Sequence, residues 1–194
     1  MLIAADGERC MAEVLVIAAA LATQDPRERP LEKQTEADAA HVIFREEGSD
    51  FLGQLKLWRE LHKQQKNLSG GQFRKWCRDK FVSYMRFREW HDTHSQLREL
   101  MTEMGYWINE THAKPEQIHR AMLTGLLSSI GLKNDATQKD VAMGDGDYDG
   151  ARGIKFNIFP GSVLFKQSGG APKWIMAAEI VRTTRTYART AATI

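Results

Sequence analysis

Residues 174–189 read Trp-Ile-Met-Ala-Ala-Glu-Ile-Val-Arg-Thr-Thr-Arg-Thr-Tyr-Ala-Arg. Side chains of an extended strand alternate between its two faces, so Arg185, Tyr187 and Arg189 would share one face. Such a face suits a single-stranded nucleic acid, because the cations can contact phosphates while the ring stacks on a base. The alternative is a solvated edge strand whose cations prevent pairing with other chains. The residues alone leave both interpretations open.

The pattern around this stretch predicts a small barrel. Ile154, Phe156 and Ile158 recur at every second position, which is typical of a strand with one apolar face. Short strands separated by Gly and Pro turns, five of them within residues 126–194, fit an oligonucleotide-binding (OB) fold. The further strand candidates are Leu126–Leu132, Val163–Lys166 and Lys173–Val181, with a Gly169-Gly170 loop before the last.

Residues 1–125 carry helical spacing instead, with start and stop signals between short apolar stripes. Ser69-x-x-Gln72 and Thr35-x-x-Asp38 have the form of capping boxes that begin helices. Gly105 is placed to end a helix, and Pro115 suits the first turn of the next. We therefore predict an α+β protein with a helical bundle over residues 1–125 and a five-stranded OB barrel over 126–194.

Four motifs, in this order, resemble the C-terminal region of DEAH-box RNA helicases of the bacterial HrpA type. The resemblance covers essentially the whole chain. The motifs are Phe73-Arg74-Lys75-Trp76-Cys77-Arg78-Asp79, Ser95-Gln96-Leu97-Arg98-Glu99-Leu100-Met101, Gly150-Ala151-Arg152 followed by Phe156-Asn157-Ile158-Phe159-Pro160-Gly161-Ser162, and the run from Trp174 to Arg189.

The resemblance implies a ratchet-like helical domain followed by the OB fold. It implies an accessory module that clamps single-stranded RNA beside motor domains of the same polypeptide, which would use ATP and Mg²⁺. The candidate RNA contacts are Arg185, Arg189, Tyr187, Lys155, Lys173, Arg152, Arg74 and Arg78. For Arg74 and Arg78 the alternative is ordinary solvated cations paired with Asp79, Glu89 and Asp92. The alternative function is a docking scaffold for helicase regulators or motor domains, without RNA binding of its own.

The chain itself offers no enzyme signature. It lacks a G-x-x-x-x-G-K-[ST] phosphate loop and a DEAH-type acidic motif, so we expect no ATP hydrolysis, catalytic residue or cofactor within it. Asp145-x-Asp147-x-Asp149-Gly150 begins like a calcium-binding loop, but Phe156 stands where the bidentate Glu should be. His91-x-x-His94 could offer two imidazoles to zinc, yet no cysteine lies near in sequence. We expect no metal site.

The bulk charge excludes a general polyanion binder and gives only slight support for nucleic acid at the basic C-terminal end. The formal net charge is +2, and residues 126–194 carry 9 Lys/Arg against 6 Asp/Glu. Cys10 and Cys77 lie far apart in apolar helical patterns, which indicates buried free thiols in a reducing compartment. The apolar run from Met11 to Ala22 is too short to span a bilayer. We expect a cytoplasmic monomer without membrane contact that is a fragment of a longer protein.

Overall fold

A computed structural model of the chain describes residues 1–134, 147–165 and 170–194. Within these residues, helices are followed by a closed barrel of five strands, so the expected α+β class is confirmed. The helices are α1 (Leu2–Gly7), α2 (Met11–Ala22), α3 (Gln34–His41), α4 (Asp50–Asn67), α5 (Gly70–Asp79), α6 (Tyr84–Glu103) and α7 (Pro115–Leu123). The strands are β1 (Ile130–Lys133), β2 (Tyr148–Gly150), β3 (Lys155–Ile158), β4 (Trp174–Arg182) and β5 (Thr186–Thr193).

Most of the predicted helix ends are confirmed. Ser69 and Gln72 form the reciprocal capping box at the start of α5, and Pro115 occupies the first turn of α7. Gly105 follows α6 with φ of 82°, a left-handed conformation that glycine adopts without steric cost. The capping box at Thr35-x-x-Asp38 was wrong. Helix α3 begins at Gln34, and the Asp38 carboxylate instead accepts two 2.7 Å hydrogen bonds from Arg29.

Helix α2 forms the centre of the helical part. Most of its residues are buried, as expected for a segment that is apolar on nearly all faces. Trp90 of α6 donates a 3.0 Å hydrogen bond from its indole to the backbone carbonyl of Val16. The buried Glu13 carboxylate accepts hydrogen bonds from Asn109 Nδ2 at 2.8 Å and from the Ala113 backbone at 3.1 Å. Helix α2 is therefore fixed by polar contacts as well as by apolar packing.

The barrel has the strand order β1-β2-β3-β5-β4 and closes between β4 and β1. All pairs are antiparallel except β3 with β5. Tyr148, Phe156 and Ile175 fill the interior. Gly131 and Gly150 are register partners, and a Cβ at either position would approach the Phe156 ring to 2.4 Å or 2.7 Å respectively. These two strand glycines therefore make room for a buried aromatic side chain.

Two strand predictions need correction. Val163–Phe165 forms turns rather than a strand, because Ser162 and Val163 donate hydrogen bonds to a helix instead of to a neighbouring strand. Lys166 and Gly169 lie outside the described residues. Of Leu126–Leu132, Leu127–Ser129 forms a 3-10 turn and the strand begins at Ile130. Strand β2 arises in the acidic segment that begins like a calcium-binding loop.

The helical part and the barrel share packing. The change from helices to strands falls between Leu123 and Ile130. Leu126, Met176 and Ala192 nevertheless belong to the same apolar core as the helices. The division at residue 125 into two domains therefore stays a prediction. Among the described residues, no helix combines the length and hydrophobicity that a membrane span requires.

Candidate nucleic-acid interface

The basic and aromatic stretch forms a hairpin and not one extended strand. Strand β4 ends at Arg182, residues 183–185 form the bend, and β5 returns antiparallel with Tyr187 opposite Val181. The backbone carbonyl of Arg185 accepts two hydrogen bonds from Thr183, one from the amide at 2.8 Å and one from the side-chain hydroxyl at 3.1 Å. The prediction that Arg185 shares a strand face with Tyr187 and Arg189 was therefore wrong, because Arg185 precedes β5. Its side chain is exposed at the bend.

Tyr187 and Arg189 do share the outer face of β5. Ala188 between them is fully buried in the barrel core, so the alternation of a strand directs its two neighbours away from that core. Phe159, which follows β3, lies beside both. Its ring meets the Tyr187 ring edge-on at 5.9 Å, and the Arg189 guanidinium carbon lies 4.9 Å from the Phe159 ring centroid.

Two neighbouring side chains constrain Arg189. The Phe159 ring supports one side of the guanidinium, and Glu179 of β4 lies 4.0 Å from Nη1. The Arg189 side chain is still 44% exposed. A planar guanidinium with solvent access can stack on a nucleobase or donate to a phosphate. Phe159 belongs to the quoted helicase-like motif, but we did not select it as a contact. In the alternating run Phe159 falls on the face opposite Ile154, Phe156 and Ile158, and this outward aromatic ring was the signal that could have identified it.

The structure brings Lys155 toward this surface and places Lys173 at the other end of the β4–β5 hairpin. Strand β3 runs parallel to β5, with Asn157 opposite Tyr187. The start of β3, where Lys155 is exposed, therefore lies toward the bend that holds Arg185. Arg152 is exposed in the turn between β2 and β3 with φ of 60°. Lys173 is exposed at the open end of the β4–β5 hairpin, opposite the bend.

Arg74 and Arg78 lie on α5, which packs against α4 and α6. Both are exposed, and the Arg74 guanidinium lies 5.1 Å from the centroid of the Tyr84 ring. Within the described residues neither forms an ion pair with Asp79, Glu89 or Asp92, the acids that the alternative interpretation named. The barrel packs on the N-terminal part of α4, so the described contacts do not join α5 to the Arg189 surface.

The carboxylate of Asp50 joins α4 to the barrel. It accepts hydrogen bonds from Ser162 Oγ at 2.5 Å, the Val163 amide at 3.0 Å and the Ala191 amide at 2.9 Å. Next to it, the Thr193 amide donates to the Gly48 carbonyl at 3.0 Å. In the sequence, Gly48-Ser49-Asp50 has only the composition of a chain break before a helix. No local signal distinguishes an N-terminal helix residue that also binds a distant strand.

A cleft of about 670 Å³ lies at this junction, between the ends of α2 and α4 on one side and the barrel on the other. Arg189 and Phe159 line it from the barrel, and Arg27 and Arg45 from the helical part. Burial opposes the charge of Arg27, but the attraction and hydrogen bonds of Asp25 outweigh it and raise the pKa of the guanidinium. The cleft wall therefore keeps its arginine charge at every physiological pH.

Among the described residues no group of three or more metal-binding side chains occurs. Asp145 lies outside that part of the chain. Phe156, at the twelfth loop position, is fully buried in the barrel. His91 and His94 pack around Trp58, with the His94 ring centroid 4.7 Å from that of the indole. Burial lowers the pKa of His94 to about 4.

Comparison with known proteins agrees with this architecture. Residues 1–85 match the family model of the helicase associated domain (HA2), ratchet-like, and residues 118–194 match the oligonucleotide/oligosaccharide-binding (OB)-fold model. The chain is 45% identical over all its 194 residues to the ATP-dependent RNA helicase HrpA of Escherichia coli. The resemblance to HrpA-type DEAH-box RNA helicases is confirmed. The chain carries the ratchet-like and OB accessory domains of that family.

Other relatives extend the comparison. The HrpA homolog of Haemophilus influenzae is 46% identical over the whole chain. A pre-mRNA-splicing factor ATP-dependent RNA helicase of Arabidopsis thaliana, DEAH10, is 27% identical over 96% of the chain, which covers 26% of that protein. The chain spans only 14% of the length of the two bacterial relatives.

Proposed function

We propose that this chain is an RNA-binding accessory module of an ATP-dependent RNA helicase, and that it clamps single-stranded RNA beside the motor domains. The observation that carries the proposal is the outer face of β5, where Arg189 lies against Phe159 beside Tyr187. Cations next to aromatic rings on an OB barrel combine phosphate attraction with base stacking, which is how many OB folds hold single strands.

In the proposed mechanism the module holds RNA and the motor moves it. Arg185, Arg189 and Lys155 attract backbone phosphates, while Tyr187 or the Arg189 guanidinium stacks on a base. Motor domains of the same polypeptide hydrolyse ATP with Mg²⁺ and step along the strand. We place this module, as a monomer, in the cytoplasm. The buried free thiols Cys10 and Cys77 support a reducing compartment.

A salt titration tests the RNA-binding proposal. A fluorescent single-stranded RNA of about 12 nucleotides is titrated with the 194-residue chain at about 50 mM and about 200 mM salt. Three phosphate contacts give a slope of about −2 in log K against log salt, so affinity falls roughly 15-fold. An affinity that does not depend on salt, or no binding at about 50 mM, would contradict a phosphate clamp.

One observation favours docking of the motor domains as a second function. Leu100 and Met104 at the end of α6, and Trp107 just after it, are 50%, 57% and 57% exposed. Exposed large apolar side chains close together mark interaction sites. We propose the motor part of the same longer polypeptide as the occupant, because the chain covers only 14% of the bacterial helicases to which it is similar.

Docking and RNA binding can be separated by their salt dependence. The motor region is prepared separately and titrated with the chain, since apolar docking should persist at about 200 mM salt where the phosphate clamp weakens. A Leu100→Ser, Met104→Ser double variant should lose the motor region and keep RNA. Unchanged association of the variant with the motor would exclude this surface.

A further inference from the structure

A groove of about 700 Å³, which we call the α4 groove, lies between α4 and α7. Its lining includes Ile43, Leu52, Lys56, Arg59, Lys63 and Ile118. His119 Nε2 of α7 lies 2.8 Å from Ser49 Oγ, just before α4. His112 Nδ1, shortly before α7, lies 3.2 Å from Arg59 Nη2 in the middle of α4. The segments that form the two walls therefore run in opposite directions.

One face of α4 lines the groove along its length. The lining residues of this helix recur at spacings of three or four and so share one face. They are Leu52, Lys56, Arg59 and Lys63. The first and the last of them are about 16 Å apart along the helix axis. A groove of this length accommodates about three turns of a second helix.

The end of the groove near Ser49 is apolar. Leu52 is half-buried there, and the side chains of Leu55 and Ile118 are almost fully buried. Ile43, in the turn before α4, lines the same groove and is 47% exposed. Apolar side chains of a partner would cover this surface favourably, because they would remove it from water.

The rest of the α4 face is basic. Lys56, Arg59 and Lys63 each have a side chain that is at least 49% exposed. Lys56 lies 3.3 Å from Glu46. Lys63 lies 3.9 Å from Glu60, the other acid of the lining. Exposed pairs of this kind contribute little to stability, so carboxylates of a partner can replace them.

The charges of the groove favour an acidic partner. Among the described residues, its lining contains three Lys/Arg side chains and two carboxylates. A further carboxylate, that of Glu13, lies 3.8 Å from Arg59. Glu13 is only 4% exposed, and it already accepts hydrogen bonds from Asn109 and Ala113. An RNA strand would use the cations but leave the apolar end of the groove in water, whereas an amphipathic helix uses both.

We propose that the α4 groove binds an acidic amphipathic helix of a partner protein. The apolar residues of that helix pack on Leu52, and its carboxylates meet Lys56, Arg59 and Lys63. Recognition of a helix in a groove commonly uses side chains one turn apart in this way. The proposal does not depend on the RNA clamp, because none of the predicted RNA contacts lines this groove in the described part of the chain.

A synthetic peptide of about 16 residues is the probe, since this length gives about four helical turns. On an alanine background with a fluorescein label, it carries two leucines one turn apart and then a glutamate at each of the next turns. A second peptide has the reverse order, so that both directions in the groove are tested. Fluorescence anisotropy at about 50 mM salt should show binding, and replacement of the glutamates by glutamines should weaken it roughly 10-fold.

Lys56→Glu, Lys63→Glu tests the basic part of the groove. This double variant should lose the glutamate peptide and bind a matching peptide with lysines in place of the glutamates, because the charges are reversed on both sides. The control is Lys33→Glu, Arg88→Glu, which changes the net charge equally at exposed positions outside the groove. It should keep the wild-type preference. Melting curves establish that both variants are folded.

Ile43→Ser tests the apolar part of the groove and should weaken every peptide roughly 5-fold, because less apolar surface is buried on binding. The control is Val42→Ser. Val42 is the neighbouring residue and is 56% exposed, but it does not line the groove. Its variant should match the wild type.

Equal binding of the glutamate and glutamine peptides, or no binding of either, would refute the proposal. Wild-type affinity of Ile43→Ser would refute it too, since the attraction would then be electrostatic alone. If Lys56→Glu, Lys63→Glu keeps the glutamate peptide, the peptide binds elsewhere and the groove assignment is wrong. If this variant loses single-stranded RNA while the control variant keeps it, the groove is an RNA surface. A chain that binds the glutamate peptide but no RNA refutes the RNA clamp and leaves this proposal intact.

Discussion

The carboxylate of Asp50 at the start of α4 accepts a 2.9 Å hydrogen bond from the backbone amide of Ala191 in β5, 141 residues later in the chain. Ser162 and Val163 donate to the same carboxylate. One carboxylate therefore accepts hydrogen bonds both from strand β5 and from the turn that follows β3. This contact fixes the barrel against the helix whose next turn contributes Gln54 to the junction cleft.

Asp50→Ala should destabilise the whole chain. It leaves three donors without their acceptor at a half-buried position, so we expect a loss of roughly 3 kcal/mol in the free energy of unfolding. Urea denaturation followed by circular dichroism measures it. The matched control is Asp79→Ala, an exposed residue at the end of α5, which should change stability by less than about 0.5 kcal/mol. Equal stabilities of the two variants would show that the junction contact does not hold the barrel.

Arg185→Ala and Arg189→Ala should weaken RNA binding by different amounts. Each removes one phosphate contact, so the salt slope should become shallower by about 0.7 to 1 unit per variant. Arg189→Ala should cost more affinity at any salt concentration, because the guanidinium on Phe159 can also stack. Titrations at several salt concentrations separate the two effects. A folded double variant with wild-type affinity and slope would refute β5 and its bend as an RNA surface.

Tyr187 should affect binding more than folding. Its ring is half-buried and meets Phe159 edge-on, outside the barrel core. Tyr187→Ala should leave the salt slope unchanged and cost about 1–3 kcal/mol of binding free energy, the range for loss of base stacking. Tyr187→Phe should retain most of the affinity. The opposite pattern, with unchanged affinity and a loss of about 3–5 kcal/mol in stability, would assign the ring to the core.

Local patterns predicted most of the architecture because they act through neighbouring residues. The Ser69 capping box, Gly105 and the apolar alternation around Phe156 each depend on a few adjacent positions. The Asp50 contact and the Arg189–Phe159 pair could not be predicted in this way, because their partners meet only after the barrel closes on the helices. Val163–Phe165 looked like a strand by composition, yet the hydrogen bonds of the preceding turn go to Asp50.

Gly131→Ala should destabilise the barrel. The added Cβ would lie 2.4 Å from Phe156 Cζ, and that ring is fully buried, so the strand or the ring must shift. Overpacking of this kind costs about 1–3 kcal/mol. Gly71→Ala in α5 has nothing within 4 Å and an ordinary φ, so it should raise stability by roughly 0.4–1 kcal/mol. Melting curves of the two variants should therefore shift in opposite directions. A neutral Gly131→Ala would show that Phe156 adapts freely.

Mild acid should destabilise the helical part through its buried histidines. Burial lowers the pKa of His94 from 6.5 to about 4, and the charges of Arg98, His62 and His91 act in the same direction. Burial also lowers the pKa of His41, His62 and His119. The unfolded chain then binds more protons than the folded chain below pH 6.5, so the free energy of unfolding falls as pH drops.

His94→Gln isolates one of these groups. In the wild type, His94 should lower the free energy of unfolding by about 1–3 kcal/mol as the pH falls from 6.5 to about 4. Urea denaturation at several pH values should show a shallower slope in this window for His94→Gln. The control is Gln65→Ala, an exposed glutamine on α4 that does not titrate, and it should keep the wild-type slope. Glu8, Asp25 and Asp38 have lowered pKa values and titrate at more acidic pH, so they do not account for losses near pH 6. A wild-type slope for His94→Gln would mean that the pKa of this imidazole does not differ between the folded and the unfolded chain.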